Sequence, residues 1–326
     1  MKYQKYLLLI LVILLIFSCQ SDKNDKLFRI AYAMAPGGTS HLGAVRLNEL
    51  VTQKSKGRIE VKLYPGGVLG KEAPLIEGIQ LKSVDMVIAG PSIIGNYAPE
   101  YGLIEAPFLF RDYDHLNNVL YGPIGKEIEK AVSKDRGLHF IDYFHRGPRY
   151  LTTTNSIIRT PLDLEGLKLR VPELPVYIKS WKIFGANPTP LDYSDMFIAL
   201  RQGVVEGQEN PLEVIYSSHL YEVQQYIMNT RHLISFYVLV IGDSFFDKYS
   251  EEDQKILLSS IHEAAEYHNK LVEEYESKYI KLLTASGSEF IDVDRDQFER
   301  LALDNLPKEF TNEWEPGIYK RIVDTK

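Results

Sequence analysis

Hydrophobic and polar positions along this chain follow two periods that alternate with each other. Strands are indicated where apolar and polar residues alternate, as at Ile59, Val61 and Leu63. Helices are indicated by apolar spacings of three and four, as at Leu47, Leu50 and Val51. Such segments fall at residues 28–33, 41–56, 59–63, 72–81, 84–89 and 122–144, and again at 167–171, 176–184, 194–202 and 204–208. Strands that alternate with helices predict an α/β protein with a mostly parallel sheet.

Two of these strands end in polar residues. Residues 167–171 alternate apolar and basic, which predicts a core face of apolar side chains and leaves Arg170 on the other face. Pro172 ends this strand, and the strand at 204–208 runs into a polar cluster that contains Asn210. A guanidinium is a fixed fork for a carboxylate, so an arginine and an asparagine at one sheet edge indicate a receptor for a small organic anion.

The longest element is predicted near the C-terminus, since residues 250–286 contain neither glycine nor proline. Ser250 can cap this helix, three acidic residues follow it, and Gly287 lies just past the end. Thirty-six residues in a helix would extend about 54 Å. Such a helix either kinks or lies across two domains, and we favour the second arrangement.

Size and charge narrow the class of protein. A chain of 326 residues exceeds what one hydrophobic core holds comfortably, so two domains are expected. The net charge of −7 argues against nucleic acid or an anionic membrane surface as a partner. It also means that an anion site must be a local basic pocket, because the overall field repels anions.

The first residues have the pattern of a lipoprotein signal. Lys2 and Lys5 precede an apolar run at residues 7–17, and Cys19, the only cysteine, follows directly after Ser18. We predict a signal peptide at 1–18 and a polar tether at 19–26. Lipidation of Cys19 is expected to anchor the protein to a membrane. The alternative is an incidental cysteine in an ordinary cleaved signal. With one cysteine, no intrachain disulfide can form.

Several motifs in order resemble the substrate-binding proteins of TRAP transporters, the tripartite ATP-independent periplasmic transporters, in the DctP family. The matching segments are YPGGVLG at 64–70, APFLF at 106–110, GPRYLT at 147–152, PLDLEGLKLRVP at 161–172, GANPTP at 185–190 and GVVEGQENP at 203–211. The resemblance covers essentially the whole mature chain. It implies an α/β, two-lobed periplasmic-binding-protein-like fold with a long helix spanning both lobes and a central ligand cleft. Lobe I is expected at 27–147 and 236–276, and lobe II at 148–235 and 277–326.

The resemblance also implies which residues of lobe II bind the ligand. It assigns to Arg170 the bidentate grip on a ligand carboxylate, and Arg149 is implied to reach the same ligand. Arg146, two positions before Pro148, competes with Arg149 for this role. Asn210 offers both a donor and an acceptor. The alternatives are structural roles: a minor surface ion pair for Arg170, bracing of the hinge for Arg149, and a turn before Pro211 for Asn210.

Lobe I is expected to determine which carboxylate ligand the protein binds. Ser40 and His41 are placed in a turn before the first long helix, Glu72 opens another helix, and Ser92 follows a strand. In sugar-acid receptors a carboxylate such as Glu72 grips hydroxyl groups, although stabilisation of its own helix explains the residue equally well. Tyr193 is expected to floor the pocket, whereas Trp181 is better explained as a core aromatic.

Other chemistry has weaker signals. His262 opens the run HEAAE, which resembles the start of a zinc-protease helix but lacks the second histidine, so no metal is expected. There is no nucleophile elbow, phosphate loop or dinucleotide fingerprint, so neither a cofactor nor catalysis is expected.

We therefore expect a receptor that delivers a small carboxylate to a TRAP membrane permease. A uronate or an aldonate is the favoured ligand, and sialate is the next. The alternatives are a partner that presents ligand to a membrane sensor and a sugar-acid lyase.

Overall fold

The computed structural model describes residues 26–134 and 136–326. The signal, the tether up to residue 25 and Cys19 lie outside these residues. The strands are β1 (Lys26–Tyr32), β2 (Ile59–Tyr64), β3 (Met86–Ala89), β4 (Leu138–Thr153), β5 (Lys168–Val171), β6 (Asn187–Pro190), β7 (Gly207–Pro211), β8 (Tyr226–Met228), β9 (Ile234–Gly242) and β10 (Glu289–Ile291).

Helices connect most of these strands. They are α1 (Thr39–Lys54), α2 (Glu72–Gln80), α3 (Ser92–Tyr97), α4 (Tyr113–Leu120), α5 (Pro123–Ser133), α6 (Pro175–Ile183), α7 (Met196–Arg201), α8 (Leu212–Ser217), α9 (Ser244–Lys248), α10 (Glu251–Ala285), α11 (Arg295–Glu309) and α12 (Ile318–Asp324). Short 3-10 helices fall at Pro99–Glu105, Pro161–Leu164, Tyr193–Asp195 and Leu220–Glu222. The elements predicted individually lie within about three residues of these bounds.

The strands form two sheets that share the long strand β4. The strand order is β2-β1-β3-β9-β4-β7-β5-β6, with β8 beside β4 and β10 beside β8. The first part of β4 pairs with β9, and its last residues, from Arg149 to Thr153, pair with β7. Because β4 belongs to both sheets, the chain passes from one half of the molecule to the other within a single strand that is hydrogen-bonded to neighbours in both halves.

The expectation of a mostly parallel sheet was only partly correct. The pairs β1–β2, β1–β3, β5–β6, β5–β7 and β8–β10 are parallel. Throughout the described chain, however, β4 and β9 run antiparallel to their neighbours. The sequence reading had not recognised β9, an apolar run whose direction no local pattern reports.

The long helix α10 has the predicted bounds and cap. The Ser250 hydroxyl accepts a hydrogen bond from the backbone N–H of Asp253, and the helix then runs for 35 residues. Its first half packs with α1 in one hydrophobic cluster, through residues such as Leu257 and Ile261. Its last turns add Tyr279 and Leu283 to a different cluster in the second half of the molecule. The helix therefore spans both halves, as predicted. No helix in the described ranges is long and apolar enough to cross a membrane.

Candidate binding cavity

A cavity of about 730 Å³ lies between the two sheets. One wall comes from the segments after β1, β2 and β3, and the other comes from β4, β5, β7 and the segment at 191–197. Its volume falls in the range of sites that bind small molecules. Lys71 at the rim makes a 3.0 Å ion pair with Asp195 from the opposite wall. The cavity thus lies where the two halves face each other.

Arg170 lies at the end of β5 on the cavity wall. Leu169 and Val171 are buried in the core on the opposite face, and Lys168 is exposed. The Arg170 Nε and Nη2 donate to the carbonyl oxygen of Leu191 at 3.0 and 2.7 Å. Burial lowers the pKa of the guanidinium to about 10, so that it remains a cation at neutral pH. No carboxylate of the described residues lies within ion-pair distance of it, which leaves a desolvated cation facing the cavity.

Arg149 has a different environment, since its partner is internal. The guanidinium binds both carboxylate oxygens of Glu209, at 2.5 and 2.6 Å, and both side chains are fully buried. Burial alone would raise the pKa of Glu209, but Arg149 outweighs burial and the pKa is about 2. His232 adds a contact to Glu209 at 3.1 Å. Glu209 therefore orients Arg149, whose Nη1 is buried without a hydrogen-bond partner among the described residues.

Asn210 lies beside these arginines because of strand register. It pairs with Tyr150 across the β4–β7 ladder, one position from Arg149. Its amide Nδ2 donates to Gln208 at 2.6 Å, and the side chain lines the cavity. The predicted Arg170, Arg149 and Asn210 are thus brought to one wall.

The opposite wall carries Glu72 and Ser92, whose hydroxyl donates to the Glu72 carboxylate. Gly90 gives this carboxylate its space, since a Cβ at that position would lie 3.1 Å from Glu72 Oε2. Tyr193 also lines the cavity, and its hydroxyl lies 2.6 Å from the Ser218 hydroxyl. Trp181 is buried in the core, in edge-on contact with His232.

Ser40 and His41 were expected in a turn before the first long helix, and that placement was wrong. The helix α1 begins at Thr39, so both residues already lie in its first turn. Ser40 is buried, and the His41 Nδ1 lies 2.7 Å from the Tyr32 hydroxyl. Residues 33–36, which precede α1, line the cavity here instead.

Arg146 lines the cavity as well, although the sequence offered it only as a competitor of Arg149. Strand alternation places residues three apart on opposite faces. The pairing of β4 with β9 shifts register between His145 and Gly147, which interrupts that alternation, and such irregularities re-aim side chains. The only sequence signal was a charged residue inside an apolar strand segment.

Glu105 is a buried carboxyl group at the cavity. It accepts a hydrogen bond from the Tyr177 hydroxyl at 2.7 Å, and burial raises its pKa to about 7. In the described ranges, no cluster of three or more histidine, cysteine or acidic side chains could hold a metal ion. The arrangement is suited to holding an oxygen-rich anion between two walls.

A two-lobed α/β fold with an arginine-lined cavity between its lobes is the architecture of solute-binding proteins. The family model that describes bacterial extracellular solute-binding protein, family 7 (DctP), matches residues 30–312. The chain therefore belongs to this family, whose members act outside the cytoplasm and include the receptors of TRAP transporters.

Named relatives and solved structures agree with this assignment. The 2,3-diketo-L-gulonate-binding periplasmic protein YiaO of Escherichia coli K12 is 34% identical over 83% of this chain and 82% of its own length. A TRAP solute-binding protein of Roseobacter denitrificans with bound L-galactonate is 34% identical, with a TM-score of 0.84 over 91% of this chain and 98% of that one. One from Ochrobacterium anthropi with bound L-fuconate is 32% identical, with a TM-score of 0.85 over 92% and 98%.

Proposed function

We propose that this protein is the extracytoplasmic receptor of a TRAP transporter and that it binds a sugar acid, such as an aldonate or a uronate. The observation that carries the proposal is Arg170, a buried cation on the cavity wall whose hydrogen bonds go to a backbone carbonyl. A ligand carboxylate would supply the missing negative charge through charge-assisted hydrogen bonds. Arg149, oriented by Glu209, and Asn210 would bind the same end of the ligand.

The remainder of a sugar acid carries hydroxyl groups, and the facing wall offers matching polar groups. Glu72 and Ser92 lie there as a hydrogen-bonded pair, and Tyr193 adds a hydroxyl from the wall that carries Arg170. The relatives with bound L-galactonate and L-fuconate support this class of ligand. Any role of Ser40 and His41 would be indirect, through the packing of α1.

Delivery to the membrane permease follows from the family. We infer lobe I at 27–147 and 236–276 and lobe II at 148–235 and 277–326, with ligand stabilising the form in which the lobes close around it. We also propose that Cys19 is lipidated and anchors the protein to a membrane. Replacing Cys19 with serine should move the protein from the membrane fraction to the soluble fraction, and unchanged fractionation would contradict the anchor.

The binding site is tested by replacing Arg170 with alanine. Removing one partner of a desolvated charged pair should weaken the binding of galactonate or glucuronate at least tenfold, measured by calorimetry at pH 7.5. Arg201, which is exposed at the end of α7, gives a matched control with the same change in net charge. Unchanged affinity in the Arg170→Ala protein would contradict the site.

A further inference from the structure

The guanidinium of Arg146 lies on the cavity wall without an acidic partner. Its Cζ lies 4.4 Å from the centre of the Tyr237 ring, which also lines the cavity. Its Nε is buried and has no hydrogen-bond partner among the described residues. The ring holds the guanidinium in place but does not neutralise its charge.

Two carboxyl groups act on Arg146 through space, and both are engaged elsewhere. Glu213 lies at the start of α1, where a hydrogen bond from the backbone of Thr39 favours its ionised form. Glu105 is bound by the Tyr177 hydroxyl. Burial raises the pKa of both carboxyl groups to about 7, so each is only partly ionised at neutral pH. Neither lies within ion-pair distance of Arg146 in the described chain, which leaves its charge largely uncompensated.

Strand register separates Arg146 from Arg170. Leu169 pairs with Gly207, so Arg170 is level with Gln208, and Gln208 pairs with Thr152 of β4. Arg146 lies six positions before Thr152, or roughly 20 Å of strand at about 3.3 Å per residue. Because β7 lies between β4 and β5, the two positions are also about 10 Å apart across the sheet. The two side chains therefore reach the shared cavity from separate backbone positions along its arginine-lined wall.

We propose that Arg146 is a second anion-binding residue of the cavity and that the protein prefers a sugar diacid, an aldarate, to the corresponding aldonate. One carboxylate binds at Arg170, and the other binds at Arg146. The inference rests on the proposed function, because it specifies which sugar acid that cavity takes.

The test compares acids that differ only at the terminal carbon. Glucarate against gluconate and galactarate against galactonate are titrated calorimetrically into the wild type and into the Arg146→Gln, Arg146→Lys and Arg201→Gln proteins. We expect the wild type to bind at least one aldarate tenfold or more tightly than its aldonate. Arg146→Gln should weaken the binding of that aldarate at least tenfold and the binding of its aldonate less than threefold. Arg146→Lys should retain part of the preference, and Arg201→Gln should leave both affinities unchanged.

The ratio of the two affinities is measured on one sample, so a partly unfolded variant would lower the stoichiometry for both acids without changing the ratio. Equal affinity of the wild type for diacid and monoacid, no binding of either aldarate, or a preference that survives Arg146→Gln would each overturn the proposal. Aldonate binding without aldarate preference would leave the proposed function standing. Failure of every sugar acid to bind would contradict both.

Discussion

At the scale of single residues, the cavity holds three arginines in three different electrostatic environments. Arg149 is neutralised by Glu209, Arg170 is held by the carbonyl of Leu191, and Arg146 rests on an aromatic ring. Burying a charge is costly unless it is paired. Arg149 already has its counter-ion, whereas under our proposals the negative charges for Arg170 and Arg146 would come from the ligand.

Replacing Glu209 with glutamine should destabilise the protein strongly. The change leaves the Arg149 charge buried without its carboxylate, and breaking a buried pair in this way costs roughly 3–5 kcal/mol. Urea unfolding at pH 7 measures the loss, with Glu165→Gln at an exposed position as the control. A double replacement, Arg149→Met with Glu209→Leu, should recover much of the stability. A loss no larger than that of the control would contradict the role of this pair.

Glu105 should make stability depend on pH. Its pKa is about 7 in the folded protein against an ordinary value of 4.5, so the folded state binds the proton more tightly. Stability therefore falls as pH rises from about 4.5 through 7. Glu105→Gln should remove the contribution of Glu105 to this dependence. The free energy of unfolding at pH 8 minus that at pH 5 should then be roughly 2–3 kcal/mol higher in the variant than in the wild type. Glu213 adds a dependence in the same direction, so part of the slope should remain in the variant. If the stability of the Glu105→Gln protein and that of the wild type changed with pH in parallel, the raised pKa of Glu105 would be contradicted.

At the scale of elements, local sequence patterns predicted well where helices and strands begin and end. They predicted poorly whether neighbouring strands run parallel or antiparallel. The helix at 250–286 followed from its cap and the absence of glycine and proline, which are properties of neighbouring residues. The apolar strand β9 and the register shifts in β4 have no such local signature, because they depend on what packs against them. The same limit applies to the site: the position of Arg170 follows from strand alternation, whereas Arg146 lies at a register shift that no local pattern predicts.

The start of α1 offers a test of contact between elements. Glu213 on α8 approaches Gly38 so closely that an alanine Cβ would meet its carboxylate at 1.8 Å, although the backbone φ of −76° at Gly38 suits alanine. Gly38→Ala should therefore displace Glu213 and lower stability. In a Glu213→Ser protein the same change should cost less, giving a coupling energy of about 1 kcal/mol in a double-mutant cycle. Additive effects would show that the two residues do not interact.

At the scale of the whole molecule, β4 and α10 tie two sheets into one frame around the cavity. The first half of α10 packs with α1, and its end packs in the cluster that contains Tyr150 and Leu212. The polar residues at the mouth, such as Lys71 and Asp195, meet from opposite walls. A ligand that contacts both walls would add stability to the whole folded state rather than to one half.

The central claim is that a sugar acid binds in this cavity, and a thermal-shift screen of the purified protein tests it most directly. The panel contains aldonates, aldarates, uronates, sialate, 2-oxo acids and dicarboxylates, with glucose and galactose as neutral controls. A ligand that binds only the folded state adds about 2.7 kcal/mol at a hundredfold excess over its dissociation constant, which corresponds to a rise of several degrees. We expect such a rise with at least one sugar acid and none with the neutral sugars. Equal shifts with neutral sugars, or no shift with any sugar acid, would contradict the proposed function.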